Sequence, residues 1–219
     1  MRPKHSLNHN IKSVPLVLTG NNQPNFALLA GPVLDHIREL RSHTKRLRIW
    51  SAACSTGQEA YSLAITILEN AEKWRGWTIQ ILGTDISATA LAQAREGRYS
   101  QFEIQRGLSV THMLRHFEQQ GEEWVAKDAL RKMVTFTEHN MLTPVRHFGR
   151  FDVILCRNVL MYLNDDKRTH VLEAIAPSME EGGLLMLGAA ETVIGQTQKF
   201  RASKAFRGFY ELAPNRQGA

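Results

Sequence analysis

The stretch from residue 47 to residue 65, Leu-Arg-Ile-Trp-Ser-Ala-Ala-Cys-Ser-Thr-Gly-Gln-Glu-Ala-Tyr-Ser-Leu-Ala-Ile, constrains the fold most. Residues 47–50 read as a short apolar strand, and residues 51–57 are small. From about Glu59, Tyr61, Ala64, Ile65, Leu68 and Ala71 share one helical face. Strand, tight turn and helix form the opening unit of a nucleotide-binding α/β sheet. Small side chains let a ligand approach the backbone, and a helix N-terminus offers unpaired N–H groups. The turn contains Gly57 and no second glycine, so it is not the G-x-G-x-x-G fingerprint. A turn that merely packs a helix on a sheet satisfies the same pattern. Glu59 either complements the helix dipole or meets a cationic ligand or ribose hydroxyls.

The rest of the chain continues the alternation. Residues 25–41 carry an apolar stripe of Phe26, Leu29, Val33, Ile37 and Leu40, interrupted by Gly31-Pro32, which predicts a kink or a restart of the helix. A second strand over 78–84 ends at Asp85, placed to accept hydrogen bonds from a ribose diol or to cap the next helix. Ser87 offers the alternative cap, and that helix runs about 88–96 and stops at Gly97. Residues 98–133 break the pattern: a short helix over 111–119 and a polar hairpin over 121–132 are expected, as a small insertion. Strands follow at 134–138, 151–155 and 184–188. Between the last two lies a helix capped by Asp165 or Asp166, shortened or bent near Pro177 and stopped by Gly182-Gly183. A hairpin over 200–206 and 208–212 closes the chain.

At 219 residues one domain is expected, and no apolar run reaches the ~20 residues of a membrane span. The N-terminus lacks the apolar core of a secretory signal, and Cys54 and Cys156 read as reduced thiols, so a cytoplasmic protein is expected. No Cys/His group has zinc spacing, so no metal is expected. Residues 1–50 hold eight Lys/Arg against Asp35 and Glu39, whereas the remainder carries 19 of each sign. This basic excess reads either as a face beside the site that steers an acidic partner or as a solvated helix end and linker. No nucleic-acid-binding motif accompanies it.

Five segments then stand in one order: Trp50-Ser-Ala-Ala-Cys-Ser-Thr-Gly-Gln-Glu-Ala-Tyr-Ser62, Gly83-Thr-Asp-Ile-Ser87, Glu138-His-Asn-Met-Leu142, Phe151-Asp-Val-Ile-Leu-Cys-Arg-Asn-Val-Leu-Met-Tyr162, and Gly182-Gly-Leu-Leu-Met-Leu-Gly188 with Glu191. Over about residues 25–213 the chain resembles the CheR-type chemoreceptor glutamate methyltransferases, which use S-adenosylmethionine (SAM). The resemblance implies a class I, Rossmann-like α/β sheet of seven strands, with the last strand antiparallel. It divides the chain into an N-terminal extension and helix (1–46) and a SAM-binding domain (47–219), with a β-subdomain at about 98–133. It implies that Ala53 and Gly57 form the cofactor turn, that Glu59 and Asp85 hold the amino-acid end and ribose of SAM, and that Asn140 and Met141 flank the adenine. Arg157 and Asn158 would line the pocket, with Arg157 and Tyr162 serving catalysis. The partner implied is the cytoplasmic region of a chemoreceptor. Departures are equally visible. The family's N-terminal helical domain is almost missing. Leu18-Thr-Gly-Asn-Asn-Gln-Pro24 stands in place of a Thr-x-Phe-Phe-Arg segment, so its arginine falls near Asn21. Gln58, Ala60 and Ala189-Ala190 replace the usual Glu, Pro and His-Ser.

Methyl transfer to a glutamate needs no general base, because the carboxylate is ionised near neutral pH. Alignment and a dry pocket are the requirements. Residue type leaves Arg157 open between a pocket cation and an ion pair with Glu191 or Asp152, and leaves Tyr162 open between the transfer point and the core. The alternatives for the whole are a SAM-binding regulatory module without catalysis, or a methyltransferase for another substrate.

Overall fold

A computed structural model describes residues 24–105 and 107–214. The expectations for residues 1–23, including the position of the absent arginine near Asn21, lie outside them. The chain begins with helix α1 (Pro24–Leu28), continues through a wide π-helical turn (Leu29–Val33) and enters α2 (Leu34–Leu40). Pro32 sits inside that turn. It cannot donate a backbone hydrogen bond, and the widened ring, with Leu34 N–H reaching back to Leu29 O, absorbs the missing link without breaking the helix. The apolar stripe packs as expected at Phe26, Leu29, Val33 and Ile37; Leu40 is instead partly exposed.

The core is a seven-stranded sheet. Strands β1 (Arg46–Ala52), β2 (Thr78–Asp85), β6 (Val134–Glu138), β7 (Phe151–Cys156) and β8 (Met179–Leu187) are mutually parallel in the order β6-β2-β1-β7-β8. The hairpin β9 (Phe200–Ala202) and β10 (Phe209–Leu212) adds to β8, with β10 antiparallel to it. This is the expected class I, Rossmann-like arrangement. Side chains alternate between two apolar layers: Ile49, Val153, Leu155, Leu184 and Met186 face one, and Trp50, Ile154, Cys156, Leu185 and Leu187 face the other. Helices α3 (Gln58–Glu69) and α4 (Ala88–Glu96) cover the first layer together with α1 and α2. Helix α8 (Asp165–Ile175) covers the second.

Residues 98–131 form the expected insertion in a different pattern. It holds β3 (Arg98–Ser100), α5 (Gln101–Gln105), α6 (Val110–His116), β4 (Phe117–Gln120), β5 (Glu123–Ala126) and α7 (Asp128–Arg131), with the three strands antiparallel in the order β3-β5-β4. The hairpin is therefore residues 117–126, earlier than expected, because Trp124 and Val125 are buried and the polar stretch after them turns helical. The insertion explains why α3 is buried on nearly every face from Gln58 to Ile67. Sheet and insertion cover it from two sides, and Tyr99 of β3 donates to Thr56 O at 2.8 Å.

Two terminators differ from expectation. Asn164, whose side chain accepts from Lys167 N–H at 3.1 Å, caps α8, with Asp165 and Asp166 inside its first turn. Gly182-Gly183 does not stop that helix but lies within β8, where the register against β7 jumps from Phe151–Met179 to Val153–Leu184 as a bulge. Arg2, Lys4 and Lys12 lie outside the described residues, and three of the other basic residues are placed differently from the expected face. Arg46 and Arg48 start β1, at the sheet edge opposite its carboxyl ends. Arg41 pairs with Asp152 at 2.6 Å, and Arg48 donates to the carbonyls of Phe148 and Arg150. Arg41 and Arg48 anchor strands, and all three lie away from the carboxyl edge.

Phe136 locks the turn after β1 onto the sheet. It pairs across the ladder with Gly83, and a Cβ at Gly83 would lie 2.6 Å from the Phe136 ring. A Cβ at Gly57 would meet the same ring at 2.9 Å, and Gly57 also needs φ +88°. We predict that Gly83→Ala lowers unfolding free energy by about 1–3 kcal/mol through overpacking. Adding Phe136→Leu to that variant should cost less than Phe136→Leu alone, a non-additivity that urea denaturation measures directly; strictly additive losses contradict the packing.

Candidate functional site

Because the five central strands are parallel, the segments after β1, β2, β6, β7 and β8 all emerge at one sheet edge. The chain builds β2 and β6 on one side of β1, then β7 and β8 on the other, so the crevice between the segments after β1 and β7 is the topological switch point where such sheets bind ligands. All predicted site residues belong to these segments.

The segment after β1 alternates sharply: Ala53, Ser55 and Gly57 have φ of 56°, 51° and 88°. Alternating hands of backbone turn successive amides to one side, a geometry that receives an anion. Here the Asp85 carboxylate fills that role. Its Oδ2 accepts from Ser55 N–H at 2.8 Å and its Oδ1 from Ser87 N–H at 2.9 Å. Ser87 caps α4 by accepting from Ala90 N–H. Asp85 is thus 7% exposed, ties two turns together, and keeps further lone pairs on both oxygens. Gly57 itself is buried against Phe136 and Ala94, so its missing side chain serves packing, whereas Ala53, Ser55 and Thr56 form the partly exposed lip.

Glu59 and Arg157 come together from positions 98 residues apart. Arg157 Nη1 lies 3.1 Å from Glu59 Oε2, and Ser51 Oγ donates to Glu59 Oε1 at 2.7 Å. Both charged residues are under 10% exposed. Arg157 therefore pairs with neither Glu191 nor Asp152. Asp152 holds Arg41 and Arg48 N–H, and Glu191 accepts from backbone amides. Asn158 is left-handed at φ 59°. Tyr162, half exposed at the end of a 3₁₀ turn (Leu160–Tyr162), is not a core residue. Asn140 is exposed and accepts from Leu142 N–H with its side chain, while Met141 is buried in the second apolar layer. His139 donates its backbone N–H to Asp85 O; burial, then His147, lowers its imidazole pKa, and its buried Nε2 has no hydrogen-bond partner among the described residues.

The two thiols report the local charge. Burial pushes Cys54 well up, reinforced by Asp85 and Glu59; burial does the same to Cys156, reinforced by Glu191 and Glu59. Both stay protonated at neutral pH and neither is a nucleophile. Three carboxylates thus converge on the ends of β1 and β7, near Arg157 and Arg95. That excess of negative charge, with acceptors left on Asp85, suits a cationic ligand bearing a diol, and SAM is such a ligand. Among the described residues no three His, Cys, Asp or Glu side chains come together as a metal site.

Residue type and position singled out Asp85, Glu59 and Arg157, placed Ser55 only within the small-residue turn, offered Glu191 only as an ion-pair partner for Arg157, and gave Ser51 no side-chain role. The serines act through a hydroxyl and an amide that no motif marks. The spacing Gly188-x-x-Glu191 is the available signal for Glu191.

The buried pair yields a stability prediction. Glu59→Ala, which removes the buried carboxylate that Arg157 pairs with, should cost about 3–5 kcal/mol of unfolding free energy. The double variant Glu59→Ala/Arg157→Met should recover most of it, as measured by guanidinium denaturation; equal losses in both contradict the pairing.

A chemotaxis protein methyltransferase of Vibrio cholerae is 40% identical over 178 residues, covering 80% of this chain and 64% of that protein. One from Pseudomonas aeruginosa is 40% identical over 153 residues, covering 68% of this chain and 56% of its own length. The chain thus spans less than two thirds of the relatives it matches. Residues 21–209 match the family described as CheR methyltransferase, SAM binding domain, and the chain belongs to that family.

Proposed function

We propose that this chain binds SAM at the carboxyl edge of its sheet and transfers the methyl group to glutamate carboxylates of a chemoreceptor or receptor-like signalling protein. The observation that carries the reading is the Asp85 carboxylate, fixed between Ser55 and Ser87 amides at the carboxyl edge of a CheR-family sheet, where it holds the turn that borders the switch point. The relatives named as chemotaxis protein methyltransferases support a chemotaxis protein as the substrate.

SAM would supply an electrophilic methyl group on a sulfonium centre. Asp85 accepts from ribose hydroxyls with the lone pairs its amides leave over. Ala53 and Gly57 shape the turn against which the nucleoside rests. Asn140 and Met141 flank the base, with the apolar side chain of Met141 offering a surface and Asn140 a rim acceptor. The Glu59–Arg157 pair orients the amino-acid end: the carboxylate faces an ammonium, the guanidinium a carboxylate. Asn158 and Tyr162 border the substrate side, where a half-exposed phenol presents an apolar body and a hydroxyl donor to an incoming carboxylate. The incoming glutamate is already anionic near neutral pH, with a free pKa of roughly 4.3, so no residue needs to take a proton. What the pocket contributes is alignment and exclusion of water, since both reacting charges fade toward the transition state and bulk water would hold them apart. No helix among the described residues is long and apolar enough to cross a membrane.

Calorimetry with SAM and S-adenosylhomocysteine, followed by an alkali-labile methyl ester assay on a receptor cytoplasmic fragment, tests the reading. Binding with ester formation is expected. Asp85→Ala should weaken SAM by about 1–3 kcal/mol, the worth of hydrogen bonds to a charged group. Binding without any ester, beside an active control enzyme, would instead make the chain a non-catalytic SAM-binding module.

A further inference from the structure

We propose that Glu191 is a positioning residue: through three backbone amides its carboxylate ties the loop that carries Asn158 and Tyr162 to the end of β8. Oε2 accepts from Gly188 N–H at 2.7 Å and from Asn158 N–H at 2.9 Å, and Oε1 accepts from Met161 N–H at 3.2 Å. Strands β7 and β8 are neighbours, with Cys156 opposite Leu187, and both chains leave the sheet just beyond that pair. Their amides have no ladder partner there. A single carboxylate replaces the ladder, and bonds to an ionised acceptor are about twice as strong as neutral ones.

The sequence is shaped for this contact. Glu191 N–H closes a turn on Gly188 O at 3.0 Å, which brings the side chain back over its own turn. A Cβ at residue 188 would lie 2.6 Å from Oε2 and 3.0 Å from Asn158 N, so Gly188 clears the place that the carboxylate occupies. On the other strand, Asn158 takes the left-handed conformation, which turns the chain toward Glu191 and then into the 3₁₀ turn ending at Tyr162. The loop is therefore held from two sides by two carboxylates. Glu59 holds it through the Arg157 side chain, and Glu191 through the next amides. Loss of Glu191 leaves Arg157 anchored but frees residues 158–162 to change shape.

The inference rests on the methyl-transfer reading for what the loop serves; the contact itself is tested without turnover. Hydrogen–deuterium exchange and the dissociation constant for S-adenosylhomocysteine are measured for the wild type, Glu191→Ala and Glu191→Gln. In Glu191→Ala the amides of Asn158, Met161 and Gly188 should lose protection while β7 and α8 keep theirs, and the ligand should bind about tenfold more weakly. Glu191→Gln, which retains one acceptor oxygen, should fall between the two. Where the wild type forms ester, Glu191→Ala should lower kcat more than it raises KM. If Glu191→Ala loses protection throughout β7 as well, Glu191→Gln and Gly188→Ala decide, and both should loosen residue 188 and residues 158–162 alone. Unchanged local protection and affinity in the folded variants overturn the proposal. A wild type that binds ligand without forming ester overturns the methyl-transfer reading and leaves the exchange result to judge Glu191.

Discussion

The Asp85 carboxylate is the interaction on which the site depends. It ends β2, yet its two oxygens bond to amides on either side: Ser55 in the turn after β1 and Ser87 at the start of α4. Ser55 and Ala53 both adopt left-handed backbone, which in residues with a side chain costs on the order of 1–2 kcal/mol each. A charge-assisted hydrogen bond offsets a cost of that size. The turn therefore holds its shape through a residue 30 positions away, and its shape is what makes the crevice.

Around that contact the fold supplies three further restraints. Phe136 fills the space that Gly57 and Gly83 leave open, so the turn rests on the sheet with no gap beneath it. Tyr99, fully buried, donates to Thr56 O and joins the inserted β-subdomain to the same turn. Glu59 and Arg157 connect the start of α3 to the end of β7. Each restraint joins elements far apart in sequence, and each ends at the carboxyl edge of the sheet. The opposite edge is held separately, by Asp152 with Arg41 and the backbone of Arg48.

Much of this was legible in the residues. Short apolar runs located the five parallel strands, an apolar face located α3, and cap and stop residues located α4 and α8. Asp85 and Ser87 were readable as acceptor and cap from position alone. What escaped was non-local. Gly182-Gly183 looks like a helix stop, but tertiary pairing with β7 draws it into a strand. Pro32 looks like a break, but the helix has a wider register available. Gly57 reads as clearance for a ligand, and the clearance belongs to Phe136. Arg157 had plausible acidic partners nearby in the motif, and the fold gave it Glu59. Glu191 stood inside a recognisable segment, yet backbone amides have no letter in the sequence, so its three partners were invisible there.

The most direct test of the central claim is a crystal structure of this chain with saturating S-adenosylhomocysteine. Both ribose hydroxyls are expected within hydrogen-bonding distance, about 2.5–3.0 Å, of the Asp85 oxygens, with the Ser55 and Ser87 amides still bound to that carboxylate. A nucleoside bound away from Asp85, or a crevice left empty at saturating ligand, would contradict that claim.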